Sequence, residues 1–321
     1  MILPLALPLG FAFGGLAFVA HETLHGAVVR NRSWRYLIGY FSFLPFCISP
    51  RVWMTWHNRV HHAHTNQGEK DPDAYPRLKQ YLEQTSVRIP VLWGALRSRK
   101  KRGLLTLLLG FSLQSLQVHL SAWSRGYLKL GAFLLALAEG ALGWCIWGSF
   151  IYFGGGTAFL AFYLLPLMIA NVIVMSYIVT NHSLSPLVNQ NDPLQSSLTV
   201  KVPWLYEIYS LQFGYHVEHH IFPKMSAKYA PEVQAELRRI AGNDYQEMSL
   251  IRALSLVYRT PRVYRSNREL FDPETLESHP ALGAVKNSLS SAEPHGFLRE
   301  SVGGSGSFRS VRGLEHGETP R

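Results

Sequence analysis

The stretch from Leu130 to Asn181 contains a single charged side chain, Glu139. A helix needs about 20 apolar residues to cross the hydrocarbon core of a bilayer, so this stretch is long enough for two spans. The glycine run Gly154–Gly156 lies between the two halves. We therefore predict a membrane hairpin with spans near residues 130–153 and 157–180.

Three further apolar segments precede the hairpin. Residues 1–20 carry no charge and have neither a basic leader nor a small-residue cleavage site, which predicts a retained span near residues 2–20. The run over residues 36–50 is short and is interrupted by Pro45, which favours a re-entrant or interfacial segment. Residues 104–123 follow a basic run and are predicted to form an interfacial helix.

The charge distribution predicts the orientation of these spans. Basic residues concentrate just before the hairpin, whereas its short glycine turn has none; they are Arg97, Arg99, Lys100, Lys101, Arg102 and Arg125. The positive-inside rule then makes the face before the hairpin cytoplasmic. The formal net charge of +10 is interpreted as attraction to anionic lipid, and no nucleic-acid partner is expected because no basic-aromatic module is present.

The chain is predicted to have two parts. Residues 1–260 form a membrane-embedded domain, in which the polypeptide after Pro203 caps the cytoplasmic face. Residues 261–321 form a cytoplasmic extension, disordered from about residue 277, where Gly, Ser, Pro and charged residues dominate. Such a composition buries too little apolar surface to offset chain entropy.

Nine of the 14 histidines fall into four clusters at or just beyond the ends of apolar runs. The first cluster is His21 and His25, the second is His57, His61 and His62, the third is His216, His219 and His220, and the fourth is His182 alone. Most members of a cluster are three or four residues apart, the spacing that puts side chains on one face of a helix. Neutral imidazole binds iron, zinc and copper, so nine converging rings predict a site for two metal ions.

The first cluster, His21-Glu22-Thr23-Leu24-His25, matches the H-E-x-x-H pattern of zinc metalloproteases. In that interpretation Glu22 is the general base and one zinc ion is bound. The interpretation uses only two or three histidines and leaves the other clusters without a role. It is kept as an alternative.

The whole histidine pattern resembles the membrane fatty acid desaturase family. Its three boxes correspond here to residues 21–25, residues 57–62 (His57-Asn58-Arg59-Val60-His61-His62) and residues 216–220 (His216-Val217-Glu218-His219-His220). The flanking residues are similar as well: Trp56, Thr65, Asn66, Asp71, Pro72, Asp73, Gln212, Ile221, Phe222 and Pro223. The resemblance extends from about Gly10 to about Tyr229.

This resemblance implies an all-α, multi-pass membrane protein with a histidine-lined di-iron site on its cytoplasmic side. All nine clustered histidines are then iron ligands, with His182 matching the additional ligand of many members. Dioxygen and two electrons would introduce a double bond into a long acyl chain carried by a lipid or a thioester. One departure is Ile178, where some relatives have an asparagine that holds a metal-bound water; Asn181 or Gln212 are candidate substitutes.

The electrons must come from a separate donor, of the ferredoxin or cytochrome b5 type used by related enzymes. The sequence has no haem-binding module, no cysteine set for an iron–sulfur cluster and no dinucleotide-binding loop. Members of the family usually have a further span before the first box, so the resemblance also implies that the start of the chain is truncated or misassigned.

Several residues near the boxes are predicted to support or surround the metal site. Carboxylates often accept the second N–H of a ligating histidine; Glu22 and Glu218 are favoured for this role, and Asp71 and Asp73 are equally consistent with it and with surface ion pairs. His64 and His119 are expected not to bind metal. Aromatic side chains next to the boxes are candidate walls of an acyl slot or ordinary interfacial residues: Trp53, Trp56, Tyr215 and Phe222.

Other functions remain open besides the metalloprotease. A related di-iron lipid hydroxylase or ketolase would add oxygen to the substrate instead of removing hydrogen. A non-catalytic metal-binding or transport protein would place its ligands near the middle of the membrane, whereas these clusters lie at the ends of the apolar runs.

Overall fold

The computed structural model describes residues 3–94, 102–260 and 263–283, and within them the protein is mostly helical. The helices in chain order are α1 (Leu3–His25), α2 (Arg32–Phe43), α3 (Pro50–Trp53), α4 (His62–His64), α5 (Leu78–Glu83), α6 (Thr85–Gly94), α7 (Arg102–Ser121), α8 (Leu130–Phe159), α9 (Leu165–Asn181), α10 (Pro193–Ser196), α11 (Trp204–Tyr209), α12 (His216–Ile221), α13 (Ala230–Ala241) and α14 (Leu250–Arg259). Two π-helical segments join neighbouring helices, at Met54–His61 and Leu160–Leu164. Short 3₁₀ turns lie at Leu44–Phe46, Gly68–Lys70, Ala227–Tyr229 and Gly242–Asp244.

Two small sheets correct the expectation of an all-α protein. The strands are β1 (Thr199–Lys201), β2 (Glu247–Ser249), β3 (Val263–Ser266), β4 (Glu269–Phe271) and β5 (Ser278–Pro280). Strands β1 and β2 pair in parallel, and β3, β4 and β5 form an antiparallel sheet in that order. Strands of three or four residues carry too little alternation of apolar and polar side chains to be recognised from sequence.

The centre of the fold is a pair of helices, α1 and α9, that run side by side in the same direction. Gly10 lies against Ile169 and Gly14 against Ile173, and the rings of Phe18 and Tyr177 meet edge to face at 5.6 Å. Glycine at two of these positions lets the helix axes approach closely. The C-terminal ends of both helices, which carry the first and fourth histidine clusters, therefore lie together.

Among the described residues, three helical stretches are long and apolar enough to cross a membrane: Pro4–His25, Leu104–Ser121 and Leu130–Asn181. The second of these differs from the interfacial assignment made from sequence. Helix α7 packs along α9, where Ser112 N–H donates to the Asn171 side chain and Asn171 Nδ2 donates to the Ser112 hydroxyl. This interhelical contact pairs polar groups that lie between two apolar helices. The flanking basic residues, on which the interfacial prediction rests, give no indication of it.

The chain reverses direction at Gly155, as the glycine turn predicted. Gly155 has a left-handed φ of 72° inside otherwise helical residues. The rings of Trp147 and Tyr163 stack at 4.6 Å, although residues 16 positions apart in a straight helix would be about 24 Å apart. The stretch from Leu130 to Asn181 therefore forms a helical hairpin.

A sharp bend separates α2 from the helix that carries the second histidine cluster. The stretches Arg32–Phe46 and Pro50–His64 meet at 102°, the geometry of a broken span or a re-entrant loop. Glu139 of α8 lies at the bend and accepts hydrogen bonds from Tyr36 Oη (2.5 Å), Ser49 Oγ (2.6 Å) and Arg51 Nε (3.0 Å). The one charged residue of the hairpin thus anchors the start of α3.

The C-terminal sheet is hydrogen-bonded to the chain between the helices, although residue 260 is the predicted boundary between the two parts of the protein. Tyr264 N–H donates to Pro76 O, and its hydroxyl donates to Ser185 O. Residues 278–280 form β5, beyond residue 277, where the composition predicts the onset of disorder. The prediction for residues 284–321 lies outside the described residues.

We expect the Glu139→Ala variant to lower the free energy of unfolding by about 2 kcal/mol, because three donors lose a charged acceptor. The ion-pair share of this effect is small, since the Arg51 side chain is 37% exposed. Chemical unfolding in detergent micelles measures the change. The control is Leu142→Ala, an exposed position on the same helix, which should change stability by less than about 0.5 kcal/mol; equal effects of the two substitutions would contradict the anchoring role of Glu139.

Candidate metal centre

The structure brings together all nine clustered histidines at the shared end of α1 and α9. His21 and His25 lie on the last turns of α1, and His57 and His61 lie in the π-helix, directly before His62. His182 follows the last residue of α9, and the short helix α12 carries the third cluster. Each of the nine rings has another of the nine within 5.2 Å, centroid to centroid.

The rings divide into two groups. Ligand atoms of His21, His25, His57 and His219 lie within 4.8 Å of one another, and His62 Nε2 lies 3.3 Å from His57 Nε2 and 3.2 Å from His219 Nε2. We call these five residues the first histidine group.

The second histidine group is smaller and more deeply buried. Ligand atoms of His61, His182 and His220 lie within 4.8 Å of one another. His216 Nε2 completes the group, at 2.8 Å from His182 Nε2 and 3.0 Å from His220 Nε2. Each group draws residues from at least three separate segments of the chain, so neither exists without the folded protein.

The π-helix explains how one short segment serves both groups. Hydrogen bonds from residue i to i+5 widen the turn, so the fourth and fifth residues after His57 both lie next to it in space. His61 stacks beneath His57 at 5.2 Å, and His62 meets it edge to face at 4.8 Å. His57 and His62 then join the first group while His61 joins the second. The α-helical spacing expected from sequence is wrong for this segment.

The distances between ring nitrogens fit a bound metal ion. Metal–nitrogen bonds to histidine are about 2.0–2.1 Å long, so two ligands at a right angle have their nitrogens about 2.9 Å apart. The measured separations between neighbouring Nε2 atoms run from 2.8 to 3.3 Å. In the first group, His25 Nε2 is buried and has no hydrogen-bond partner among the described residues. A cation at each group would give these atoms a common partner.

Several outer ring nitrogens have the partners that ligating histidines usually have. His61 Nδ1 lies 2.9 Å from Asp71 Oδ1, His182 Nδ1 lies 2.9 Å from Ser196 O, and His220 Nδ1 lies 3.1 Å from Thr65 Oγ1. A proton on Nδ1 in the first two cases leaves the Nε2 lone pair directed at the group. The backbone carbonyl and the threonine are partners that sequence reasoning missed, because no residue-type signal distinguishes them.

The four candidate carboxylates behave differently. Glu22 lies 3.2 Å from His21 Nδ1, in the position favoured for it from sequence. Asp71 Oδ1 lies 2.9 Å from His61 Nδ1, which is one of the two roles left open for it. Asp73 is 3.4 Å from His61 Nδ1 and also accepts from Trp56 Nε1 and Gln114 Nε2. The prediction for Glu218 is wrong: it accepts from Thr199 Oγ1 (2.7 Å) and Tyr245 Oη (2.5 Å). It connects α12 to β1 and to the chain before β2 and holds no histidine.

Burial keeps most of the clustered histidines neutral, the state that binds metal, with His61 as the exception. The carboxylates of Asp71 and Asp73 outweigh burial and raise the pKa of His61 to about 9, so this ring loses a proton when a cation binds. Burial, assisted by the nearby His61, lowers the pKa of His182 to about 3. Burial and neighbouring rings also lower the pKa of each histidine of the third cluster well below the usual value. No protons have to be displaced from these rings at neutral pH before a cation binds.

Both histidine groups border an apolar cavity of about 600 Å³. His21 and His57 reach it from the first group, and the second group contributes three rings: His61, His182 and His216. Trp53 and Trp56 line the cavity, one of the two roles left open for them from sequence, whereas Tyr215 and Phe222 are not among its lining residues. Helix α7 supplies much of the opposite wall, from Leu105 to Gln117. The cavity therefore connects a candidate membrane helix with the histidines.

Ile178, the position at which the sequence departs from the family pattern, lines the cavity, and its side chain has no polar group that could hold a water. Asn181 also lines the cavity and is buried, and neither of its amide atoms has a partner among the described residues. Gln212 is not among the lining residues. Of the two substitutes considered from sequence, only Asn181 faces the cavity.

His64 and His119 stay outside both groups, as predicted. His64 Nδ1 lies 3.1 Å from Gln67 Oε1. His119 Nε2 accepts from Ser49 N–H, and its Nδ1 donates to Ser115 O. Both rings are occupied by structural hydrogen bonds.

We expect Asp71→Asn to weaken metal binding about 10- to 100-fold, because the amide is a poorer acceptor for His61 Nδ1–H. Competition titration of the metal-free protein with cobalt(II) and a chromophoric chelator measures the two dissociation constants. Only one of the two constants should change.

Glu218→Gln is the matched control, because this second buried carboxylate lies between two clustered histidines in sequence but contacts neither of their rings. Glu218→Gln should lower thermal stability and leave both constants within about twofold, the ordinary context scatter of such effects. Equal losses of affinity in the two variants would show that Asp71 has no specific effect on His61.

The comparisons with known proteins agree with this geometry. The sequence profile of the family described as "Fatty acid desaturase" matches residues 1–252. No curated protein matches the chain significantly.

Proposed function

The chain belongs to the fatty acid desaturase family, and on this premise we propose that it is a membrane enzyme that introduces a double bond into a long acyl chain. The observation that carries the proposal is the convergence of nine imidazoles into two groups beside an apolar cavity. The overall reaction would convert one –CH2–CH2– unit, O2, two electrons and two protons into a –CH=CH– unit and two molecules of water.

Each histidine group is proposed to hold one iron ion. The first ion would be held by His21, His25, His57, His62 and His219, and the second by His61, His182, His216 and His220. Two non-haem iron ions so held would supply the oxidising power that an unactivated methylene requires. The protein's own contribution is to hold the rings in a fixed orientation: Asp71, Glu22 and the Ser196 carbonyl each accept from an outer ring nitrogen.

The cavity is proposed to hold the acyl chain. Its walls near the histidines are aromatic and aliphatic, with Phe18, Trp53 and Met175 among them, so an extended hydrocarbon would exclude water there. A methylene chain offers no polar group for recognition, which means that shape must hold it still. The five cavity-lining histidines would then lie next to the chain and determine which methylenes react.

The protein is proposed to span the membrane several times with the histidines on the cytoplasmic side. Three stretches have the length and composition of spans, and the nine histidines gather at the ends of two of them. The proposed cytoplasmic side follows from the positive-inside rule applied to the basic residues before the hairpin. The basic residues at positions 97–101 lie outside the described part of the chain.

A separate acidic electron donor, of the ferredoxin or cytochrome b5 type, is proposed as partner. The sequence has no redox module of its own and a formal net charge of +10. In the first group, His57 and His219 are only partly buried, so this group lies nearer the protein surface than the second.

The protease alternative loses its basis in this arrangement. Glu22 bonds to the outer nitrogen of His21, and the two histidines of the pattern join three rings from elsewhere in the chain. A hydroxylase remains the second candidate because the family also covers hydroxylases, and its product separates the two.

We expect the purified protein to bind two iron ions per chain and single variants to lose one of them selectively. His25→Ala removes a ligand of the first group and His182→Ala removes one of the second, so each variant should retain one ion. Iron per chain is measured by atomic emission after reconstitution. His64→Ala, which changes a nearby ring outside both groups, should retain two ions; loss of iron from this control, or full loading of both ligand variants, would contradict the assignment.

The reaction itself is tested by expressing the chain with a reductase and its donor in a host of known lipid content. We expect acyl species two hydrogens lighter, detected by mass spectrometry, and their absence with His61→Ala or His219→Ala. Species heavier by one oxygen would instead establish the hydroxylase. Persistence of the lighter product in both variants would refute the proposed ligands.

A further inference from the structure

The short helix α11 presents an apolar face that no described part of the protein covers. Trp204, Leu205 and Ile208 are 66%, 64% and 60% exposed. We propose that residues 204–215, the segment leading into the third histidine cluster, form a re-entrant segment inserted in the bilayer, with these three side chains in contact with lipid acyl chains. This inference rests on the membrane location of α1 in the proposed function, and it replaces the cytoplasmic position predicted for the chain after Pro203.

Contacts with helix α1 indicate how deep in the bilayer the re-entrant segment lies. Tyr209 Oη donates a 2.7 Å hydrogen bond to Phe11 O, and Phe11 lies 10 residues before His21, or about 15 Å along the helix axis. The Tyr209 ring also meets the ring of Phe18 at 5.9 Å. The tip of the segment therefore lies beside the middle of the uncharged part of α1, well below the histidines.

The segment returns to the level from which it starts. Strand β1 precedes it, and Val200 N–H donates to Gly214 O at 2.9 Å, which closes the base of the loop. Tyr206 stacks on Tyr177 of α9 at 6.5 Å on the way down, and Phe213 meets His21 at 4.7 Å on the way back. The path is a descent along α1 and α9 followed by a return to the histidine groups.

The backbone of the segment is bonded internally, which is the condition for chain inside hydrocarbon. Backbone N–H groups of residues 206, 207, 210, 211, 212, 213 and 215 all donate to carbonyls of residues 203–212. Leu211 and Gln212 have φ values of 52° and 59°, a backbone conformation that residues other than glycine seldom adopt. Here it allows Gln212 N–H to reach Glu207 O at 2.7 Å and reverses the chain without exposing the helix end.

The composition of the segment agrees with a lipid environment. Residues 204–215 contain one charged side chain, Glu207, and no Lys, Arg, Asp or His. In contrast, α13 carries two acidic and two basic residues, of which Glu236 pairs with Arg239. Tryptophan is enriched where hydrocarbon meets head groups, and Trp204 lies at the start of the descent.

The test places an environment-sensitive nitrobenzoxadiazole label at Leu205→Cys in the full chain reconstituted in phosphatidylcholine vesicles. Cys145, which is exposed, is replaced by serine in all variants, and Cys47 is buried. Leu142→Cys on α8 is the lipid reference, and Ile240→Cys on α13 is the aqueous reference; both side chains are exposed. Quenching by brominated acyl chains and by aqueous iodide is measured for each label.

We expect bromolipid quenching at residue 205 close to that at residue 142, with a several-fold smaller iodide quenching constant than at residue 240. If the label at residue 205 is quenched like the label at residue 240, while the label at residue 142 is quenched by bromolipid, this proposal alone is overturned. The exposed patch would then face water or a protein partner. If residue 142 also behaves as aqueous, the membrane placement of the proposed function fails together with it. Neither result depends on iron or on activity.

Discussion

Burial of nine imidazoles at one point is the constraint on which the rest of the structure depends. Each ring has two nitrogens, and a buried nitrogen without a partner costs free energy. The protein satisfies several of the outer nitrogens from nearby backbone or side chains, including Ser196 O and Thr65 Oγ1, whereas His62 Nδ1 and His216 Nδ1 have no partner among the described residues. The inner nitrogens converge at separations of about 3 Å, so one cation in each group would give them a common partner.

This constraint explains the arrangement of the helices. Helices α1 and α9 run in the same direction, which puts both of their C-terminal ends at one level, and the close approach at Gly10 and Gly14 holds them there. The π-helix then lets three residues of one segment supply two groups. The carboxylates of Glu22 and Asp71 lie on the outer side of the rings and mostly apolar walls lie on the inner side, so the same histidines separate a hydrogen-bonded shell from an apolar cavity.

Composition and spacing were sufficient to predict the hairpin, its glycine turn, the nine converging histidines and the non-participation of His64 and His119. These features depend on strong local signals: long uncharged runs and residue types with one dominant chemistry. The finer support could not be predicted in the same way. Glu22 and Glu218 each lie between two histidines in sequence. Glu22 contacts the ring of His21, whereas Glu218 accepts hydrogen bonds from Thr199 and Tyr245. The spacing does not separate the two cases, because the direction of a side chain on a short helix is set by tertiary packing. The π-helix, the three-residue strands and the descent of α11 along α1 likewise arise from long-range contacts that leave no periodic pattern.

The anchor at Glu139 also has a consequence for the order in which the protein is made. Its carboxylate is 88 residues downstream of Arg51, which corresponds to roughly 4–18 s of synthesis at 5–20 residues per second. During that interval α2 and the second histidine cluster have left the ribosome, but the acceptor that fixes their mutual angle does not yet exist. The bend between them is therefore completed only when the first half of the hairpin has been made and packs against it, so completion of the histidine site waits for α8.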